Sequence, residues 1–230
     1  RPALNDISLW TGNVLWIAVG NSVLLGGVSA FLVTLLSMIM VIGLKSSRIV
    51  ISKYISTLST LGYAFPGAVL GLGILIPLAK ADNWFADKIY LISGVDPGLL
   101  LTGSVAALII AYCVRFFAIG VGAAESGLAS ISPSIPHVAR SLGTRNSSLI
   151  WKIYQPLMRG SLASAMVLVF VDALKELPAT LLLRPFNFET LATHTYGQAS
   201  LENFNGTAPP ALLIIGLSFS AIIVLAKANR

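Results

Sequence analysis

Residues 21–44 read NSVLLGGVSAFLVTLLSMIMVIGL, twenty-four residues without a charge. The hydrocarbon core of a bilayer is about 30 Å thick and takes about 20 apolar residues of helix, so this stretch is long enough to cross it. Working outward, four more runs of that kind follow, at about 57–79, 99–122, 161–183 and 208–226; the third carries a single charge, Arg115. Hydrophobic residues make up 56% of the 230-residue chain and charged ones 10%. That balance lies outside what a soluble domain needs to fill a core and predicts an all-α polytopic membrane protein of about five transmembrane helices.

The segments between the runs set the orientation. Assigned alternately to two sides, they place Lys45, Arg48, Lys53, Arg140, Arg145, Lys152, Arg159, Lys227 and Arg230 on one face. The other face receives Arg1, Lys80, Lys88 and Arg184 with six acids, Asp6, Asp82, Asp87, Asp96, Glu189 and Glu202. The positive-inside rule makes the first face cytoplasmic, with the C-terminus inside and the N-terminus outside. The chain opens at Arg1 without a methionine or a signal-peptide pattern, and a further helix upstream is expected. The net charge of +6 is explained by membrane orientation; without interleaved aromatic groups, the basic residues do not point to a nucleic-acid partner.

Gly67 and Gly71 in the second run, and Ser161 and Ala165 in the fourth, have the small-xxx-small spacing that lets helices approach closely. Pro66 and Pro77 should kink the second run. Cys113 is the only cysteine and reads as a packed core thiol.

The longest segment on the basic side, residues 123–160, is written as two short helices. Ser132 and Pro133 form a cap and first turn, Ile135, Val138, Ala139 and Leu142 space as one apolar face, and Gly143 supplies a C-terminus. Asn146 or Ser147 can cap a second helix carrying Leu149, Ile150 and Ile153, which should end before Pro156. The stretch His137-Val138-Ala139, three residues, Gly143, nine residues, Ile153-Tyr154-Gln155-Pro156 resembles the Glu-Ala-Ala, x3, Gly, x9, Ile-x-Leu-Pro signature of permease subunits of binding-protein-dependent ABC importers. Ala139, Gly143, Ile153 and Pro156 agree with it, whereas His137, Val138 and Gln155 replace Glu, Ala and Leu. The resemblance implies a type I importer transmembrane domain covering residues 1–230. It also implies that loop 123–160 seats in a cytoplasmic ABC ATPase dimer, which consumes the ATP. The competing reading of the loop is an amphipathic pair lying on anionic lipid.

Asp172, Lys175 and Glu176 fall about midway along the fourth run, where ionisable groups are costly and count as a functional hypothesis. Asp172 and Lys175 are spaced to pair, and Arg115 is the expected interhelical partner of Glu176; a structural network is preferred to substrate contact. The stretch from Lys175-Glu176-Leu177-Pro178 through Phe188, continuing over Thr190-Leu191-Ala192, is similar to the ferric-iron subfamily of these permeases. Thiamine, phosphonate and polyamine relatives share much of the pattern. The resemblance implies the C-terminal half of a longer permease with two homologous halves, the second half being fused or another copy, and a periplasmic substrate-binding protein as further partner.

Glu189, His194, Tyr196 and Glu202 are of types that ligate hard metal ions, but no motif spacing supports a site, and a helical collar over the pore is the expectation. The two histidines, His137 and His194, fall on opposite sides, and the sequence holds no Gly-x4-Gly-Lys-Ser/Thr phosphate loop. A transport subunit without catalysis or a bound cofactor of its own is therefore expected. The rival from another class is an ion-coupled secondary transporter using Asp172, Lys175 and Glu176 as coupling charges.

Overall fold

The computed structural model describes residues 8–46, 52–59 and 61–228. Arg1, Asp6, Arg48 and Arg230 lie outside them. The described residues form helices and connecting turns, with no strand. Five helices are long and apolar enough to cross a membrane: α1 (Asn13–Ser46), α2 (Gly67–Ser93), α3 (Val105–Ala129), α5 (Gln155–Leu174) and α8 (Phe204–Ala228). Shorter ones are α4 (Ser134–Ser141), α6 (Pro178–Leu183) and α7 (Leu191–Ser200). The described residues also include single turns at Ser8–Thr11, Leu61–Ala64 and Asn146–Leu149, a two-turn helix at Ser52–Ser59 and a π segment at Ile150–Tyr154.

α1, α3 and α5 pack against one another in pairs, α2 lies on α6 and α3, and α8 rests on α7 and α5. Side chains pack in three tiers along this bundle. At one end the C-terminal parts of α1 and α3 enclose Met38, Val121 and Leu128 with Ala139, Leu149 and Tyr154 of the polar loop. The middle tier joins Leu25, Val33, Tyr112, Phe116, Val169 and Leu183. At the opposite end Leu15 and Ala18 meet Leu191 of α7 and, less buried, Leu213 and Leu217 of α8. Since lipid is as apolar as leucine, small residues set how near the helices come. Gly71 lies against Leu182 and Ala179 of α6, and Ser161 against Gly127 of α3, so both small-xxx-small pairs are used.

Proline placement moves several boundaries. The stretch expected to span at 57–79 is interrupted, and the long helix begins only at Gly67, with Pro66 as its N-cap at φ −56°, ψ 139°. Pro66 therefore starts the helix rather than kinking it, because a residue without an N–H costs nothing where that donor would be unpaired anyway. Pro77 lies inside α2. Helix α2 then continues through Lys80, Asp82, Asp87 and Lys88, which had been expected in a loop. The third helix is likewise later than 99–122, starting after Ser104, whose hydroxyl accepts from the Ala107 N–H at 3.3 Å.

The fourth run is not one helix. Pro178 offers no N–H to the carbonyl of Leu174, α5 stops at Leu174, and α6 starts afresh with Pro178 in its first turn. Lys175 and Glu176 thus sit in a helix break rather than midway along a helix. The opposite happens at Pro156, where a stop was expected. A π turn over Ile150–Tyr154, closed by the Gln155 N–H on the Ile150 carbonyl, leads straight into α5 with Pro156 in its first turn; the wider π ring accommodates the missing donor.

Candidate functional site: a capped loop and a paired charge cluster

The loop between α3 and α5 is rigidly terminated. Ser132 and Pro133 precede α4, with the Ile135 N–H on the Ser132 carbonyl at 3.1 Å; the Ser132 hydroxyl bonds that of Ser134 at 2.8 Å instead of capping a backbone N–H. At the other end Gly143 has φ +79°. Its N–H donates to Arg140 at 2.9 Å and the Thr144 N–H donates to Ala139 at 3.0 Å, the paired bonds of a Schellman motif. A side chain at that φ costs about 1–2 kcal/mol, which is why glycine stands there. The second turn begins at Asn146, after Arg145, without a side-chain cap.

The apolar residues of α4 do not form one buried face as the spacing suggested. Ala139 is buried against the core, while Ile135, Val138 and Leu142 are exposed, Leu142 by 80%. With Ser134, Ala139 and Ile153 they line an open groove of about 360 Å³. His137 and Pro156 are exposed. Of the six residues singled out from the sequence, Val138, Ala139 and Ile153 line this groove, His137 stands on α4, Gly143 closes that helix and Pro156 belongs to the first turn of α5. Helix α4 packs on the core through Ala139 and is apolar on its outer side.

The second constellation lies at the break between α5 and α6. Arg115 Nε of α3 is 2.8 Å from Glu176 Oε2, with Glu176 only 6% exposed. The Nε makes no aligned hydrogen bond, so the contact is an ion pair by proximity; Arg115 Nη1 donates to the Phe65 carbonyl at 3.1 Å, ahead of α2. The other carboxylate oxygen of Glu176 accepts from the Ala179 N–H at 3.3 Å. The Glu176 carbonyl accepts from the Thr180 hydroxyl at 2.8 Å, and Thr180 in turn bonds Tyr112 at 2.7 Å. Gly67 completes the closure: a Cβ there would stand 2.6 Å from Glu176 Oε1 and 3.3 Å from Arg115 Nη1. The Arg115–Glu176 pair thus links α3 to the start of α6 and to the Phe65 carbonyl ahead of α2.

Asp172 and Lys175 pair separately at 2.8 Å, with Lys175 63% exposed. All four charges, with Tyr63, Phe116 and Pro178, line an open polar pocket of about 460 Å³. An exposed i,i+3 pair contributes little, since water screens it. Asp172→Asn is therefore expected to change unfolding stability in detergent by less than about 0.5 kcal/mol. Exchanging the pair as Asp172→Lys with Lys175→Asp should be equally silent.

Among the outer residues, His194 Nδ1 lies 2.9 Å from Glu189, which also faces Arg184 at 3.9 Å. Tyr196 and Glu202 are exposed and apart from them. Among the described residues no group of three or more His, Cys, Asp or Glu side chains is placed to hold a metal ion. This segment forms α7, closed by a capping box between Thr190 and Thr193 and fastened to α1 by Asn21 on the Glu189 carbonyl and Ser22 on the Leu191 N–H.

Sequence reasoning missed Asp82, read as a loop charge. It stands on α2 covered by the turn before α3, and its carboxylate accepts from the backbone N–H groups of Leu100, Leu101 and Thr102. No local signal marks it, because its partners lie 18–20 residues away in a turn. Tyr112 and Thr180 were missed too, although Tyr112 precedes Arg115 by three residues and Thr180 follows Glu176 by four, one helical turn in each case.

A bundle of five long apolar helices, with a capped helix–turn–helix between the third and fourth, defines an integral membrane transport subunit rather than a soluble or single-span protein. The chain belongs to the family of binding-protein-dependent transport system inner membrane components, whose model matches residues 33–229. It is similar to the Fe(3+)-transport system permease protein FbpB 2 of Haemophilus influenzae, 26% identical over 91% of this chain and 38% of that one. It is also similar to a ferric transport system permease protein FbpB of Actinobacillus pleuropneumoniae, 26% identical over 78% and 24% of the two chains. A putative 2-aminoethylphosphonate transport system permease protein, PhnV of Salmonella typhimurium, is 25% identical over 94% of this chain and 74% of that one. The chain thus spans well under half the length of the two ferric relatives. Among solved structures, the fold matches a bacterial alginate ABC transporter with TM-score 0.79 over 97% of this chain and 81% of that one, at 14% identity. It also matches the MetNI methionine ABC transporter with TM-score 0.68 over 97% of both chains, at 15% identity.

Proposed function

We propose that this chain forms the membrane pathway of an ATP-driven, binding-protein-dependent importer whose cargo is ferric iron. In this reading α4 and the Gly143 turn seat in a cytoplasmic ATPase dimer. The observation that carries the reading is α4 itself, a stiff element closed by a Schellman turn at Gly143 and anchored on the core through Ala139, with Ile135, Val138 and Leu142 left bare. Transmitting a power stroke requires a short lever fixed at one side and adhesive at the other, and a flexible linker or a fully buried turn is neither. Within these 230 residues there is no phosphate loop, so hydrolysis falls to the partner. A second permease half or copy faces this one across the pathway, and a periplasmic binding protein delivers cargo at the α7 end. The C-terminus lies on the cytoplasmic side, in keeping with the basic residues at the loop end.

Ferric cargo is supported by the two FbpB relatives and by the Lys175–Ala192 stretch; the PhnV relative supports 2-aminoethylphosphonate as the alternative cargo. An ion-coupled mechanism through these charges is disfavoured by geometry, because Arg115 pairs with Glu176 and Asp172 with Lys175.

The test is Gly143→Trp in the assembled importer. Uptake of labelled ferric ion is expected to fall at least tenfold while the protein still inserts, because the Cβ position is open and the cost falls on the turn and on whatever docks there. Unchanged ATP-dependent uptake and unchanged copurification with an ATPase would overturn the coupling role. Parallel uptake of labelled 2-aminoethylphosphonate decides between the cargoes.

A further inference from the structure

We propose that the groove between α1 and α5 holds an anionic phospholipid, with its phosphate on Arg159 and an acyl chain between the two helices. The groove has a volume of about 280 Å³ and an amphipathic lining. Its apolar length comes from Phe31, Leu35 and Met38 of α1 and from Leu162 and Met166 of α5. Toward the loop end the lining changes to Arg159, Gln155 and Trp151. Helical side chains lean toward the helix N-terminus, so Arg159 reaches toward Gln155 and Trp151 rather than into the apolar part. A cation, an amide and an indole at the end of an apolar slot are the residue types found where headgroups meet acyl chains.

Charge argues for an anionic lipid in particular. Arg159 is exposed and has no ion-pair partner among the described residues. The stretch 123–160 carries Arg140, Arg145, Lys152 and Arg159 against a single acid, Glu125. A basic side chain near the membrane surface attracts an anionic headgroup by about 1 kcal/mol, close to a fivefold preference. The inference depends only on the chain being embedded in a bilayer, not on its cargo or its ATPase.

The test uses the protein with Trp10, Trp16, Trp84 and any tryptophan outside these 230 residues changed to Phe, leaving Trp151 as the reporter. It is reconstituted in phosphatidylcholine vesicles containing brominated phosphatidylglycerol or brominated phosphatidylcholine, the bromines near the headgroup end of the chains. Quenching of Trp151 should give phosphatidylglycerol an apparent binding constant about five times that of phosphatidylcholine. Arg159→Gln should bring the ratio to about one with quenching by both lipids retained, and Arg159→Lys should keep the preference. Ala163→Phe, which fills the slot, should reduce quenching by both. Three results would each overturn the proposal: a ratio near one in the parent protein, a ratio unaffected by Arg159→Gln, or no quenching by either lipid, which would mean that another protein segment covers the groove.

Discussion

Glu176→Ala is expected to destabilise the folded chain by about 3 kcal/mol, more than any other single truncation among the charged residues described. Removing one member of a buried ion pair leaves its partner uncompensated and typically costs about 3–5 kcal/mol; the lower end applies because Arg115 keeps a fifth of its side chain in contact with solvent. The truncation also strips the Ala179 N–H of its acceptor. Thermal or denaturant unfolding in a mild detergent gives the value. Arg115→Met should be milder than Arg115→Ala, because the methionine refills the volume beside Phe116. A double change, Arg115→Met with Glu176→Gln, should recover more than half of the loss, since both charges then disappear together. If the double variant is no more stable than either single one, the pair is not a coupled unit and the link from α3 to the start of α6 is not made by this contact. Rescue of Asp172 variants through Arg115 is not expected, because Arg115 already faces Glu176.

Asp82→Ala should release the turn before α3. Three successive N–H groups converge on one carboxylate, and its removal leaves all three without that acceptor. Leu100 is half exposed, so water replaces part of what is lost. Hydrogen exchange at Leu100–Thr102 should accelerate while exchange along α5 stays unchanged. Asp82→Asn, which keeps one acceptor oxygen, should fall between. Equal protection in Asp82→Ala and the parent chain would show that the turn is held by its own geometry.

Much of the architecture was legible because it depends on lengths and on residues that act locally. Five apolar runs gave five long helices, since a 20-residue uncharged stretch has few other ways to satisfy its backbone in a bilayer. The Gly143 turn was readable because a Schellman closure needs a residue that tolerates positive φ. The pairing of Arg115 with Glu176 was also foreseeable: one charge stood alone in the third run and another lacked a partner in the fourth, and a bilayer leaves such groups little choice.

Other readings failed where hydropathy and hydrogen bonding diverge. Pro66, Pro156 and Pro178 decide where helices start and break, and identical ring chemistry gave a first turn after a π segment at Pro156 but a full break at Pro178. The π turn before Pro156 carries Tyr154 buried against the loop-end core, which is a tertiary fact. Helix α2 ran on past its apolar window through Lys80, Asp82 and Lys88, because helical hydrogen bonds do not require apolar side chains and the buried Asp82 found acceptor duty there.

By itself the sequence determined the class of this protein, a bundle of membrane helices joined by one capped basic loop, because those features follow from run length, charge placement and turn chemistry within a few residues. The tertiary structure alone decided which side of α4 is bare, which oxygen of Glu176 meets Arg115, why residue 67 has no side chain, and that Asp82 is a buried anchor rather than a loop charge. Each of these depends on residues that are distant in sequence and brought within about 3 Å by packing, and no local pattern records that distance.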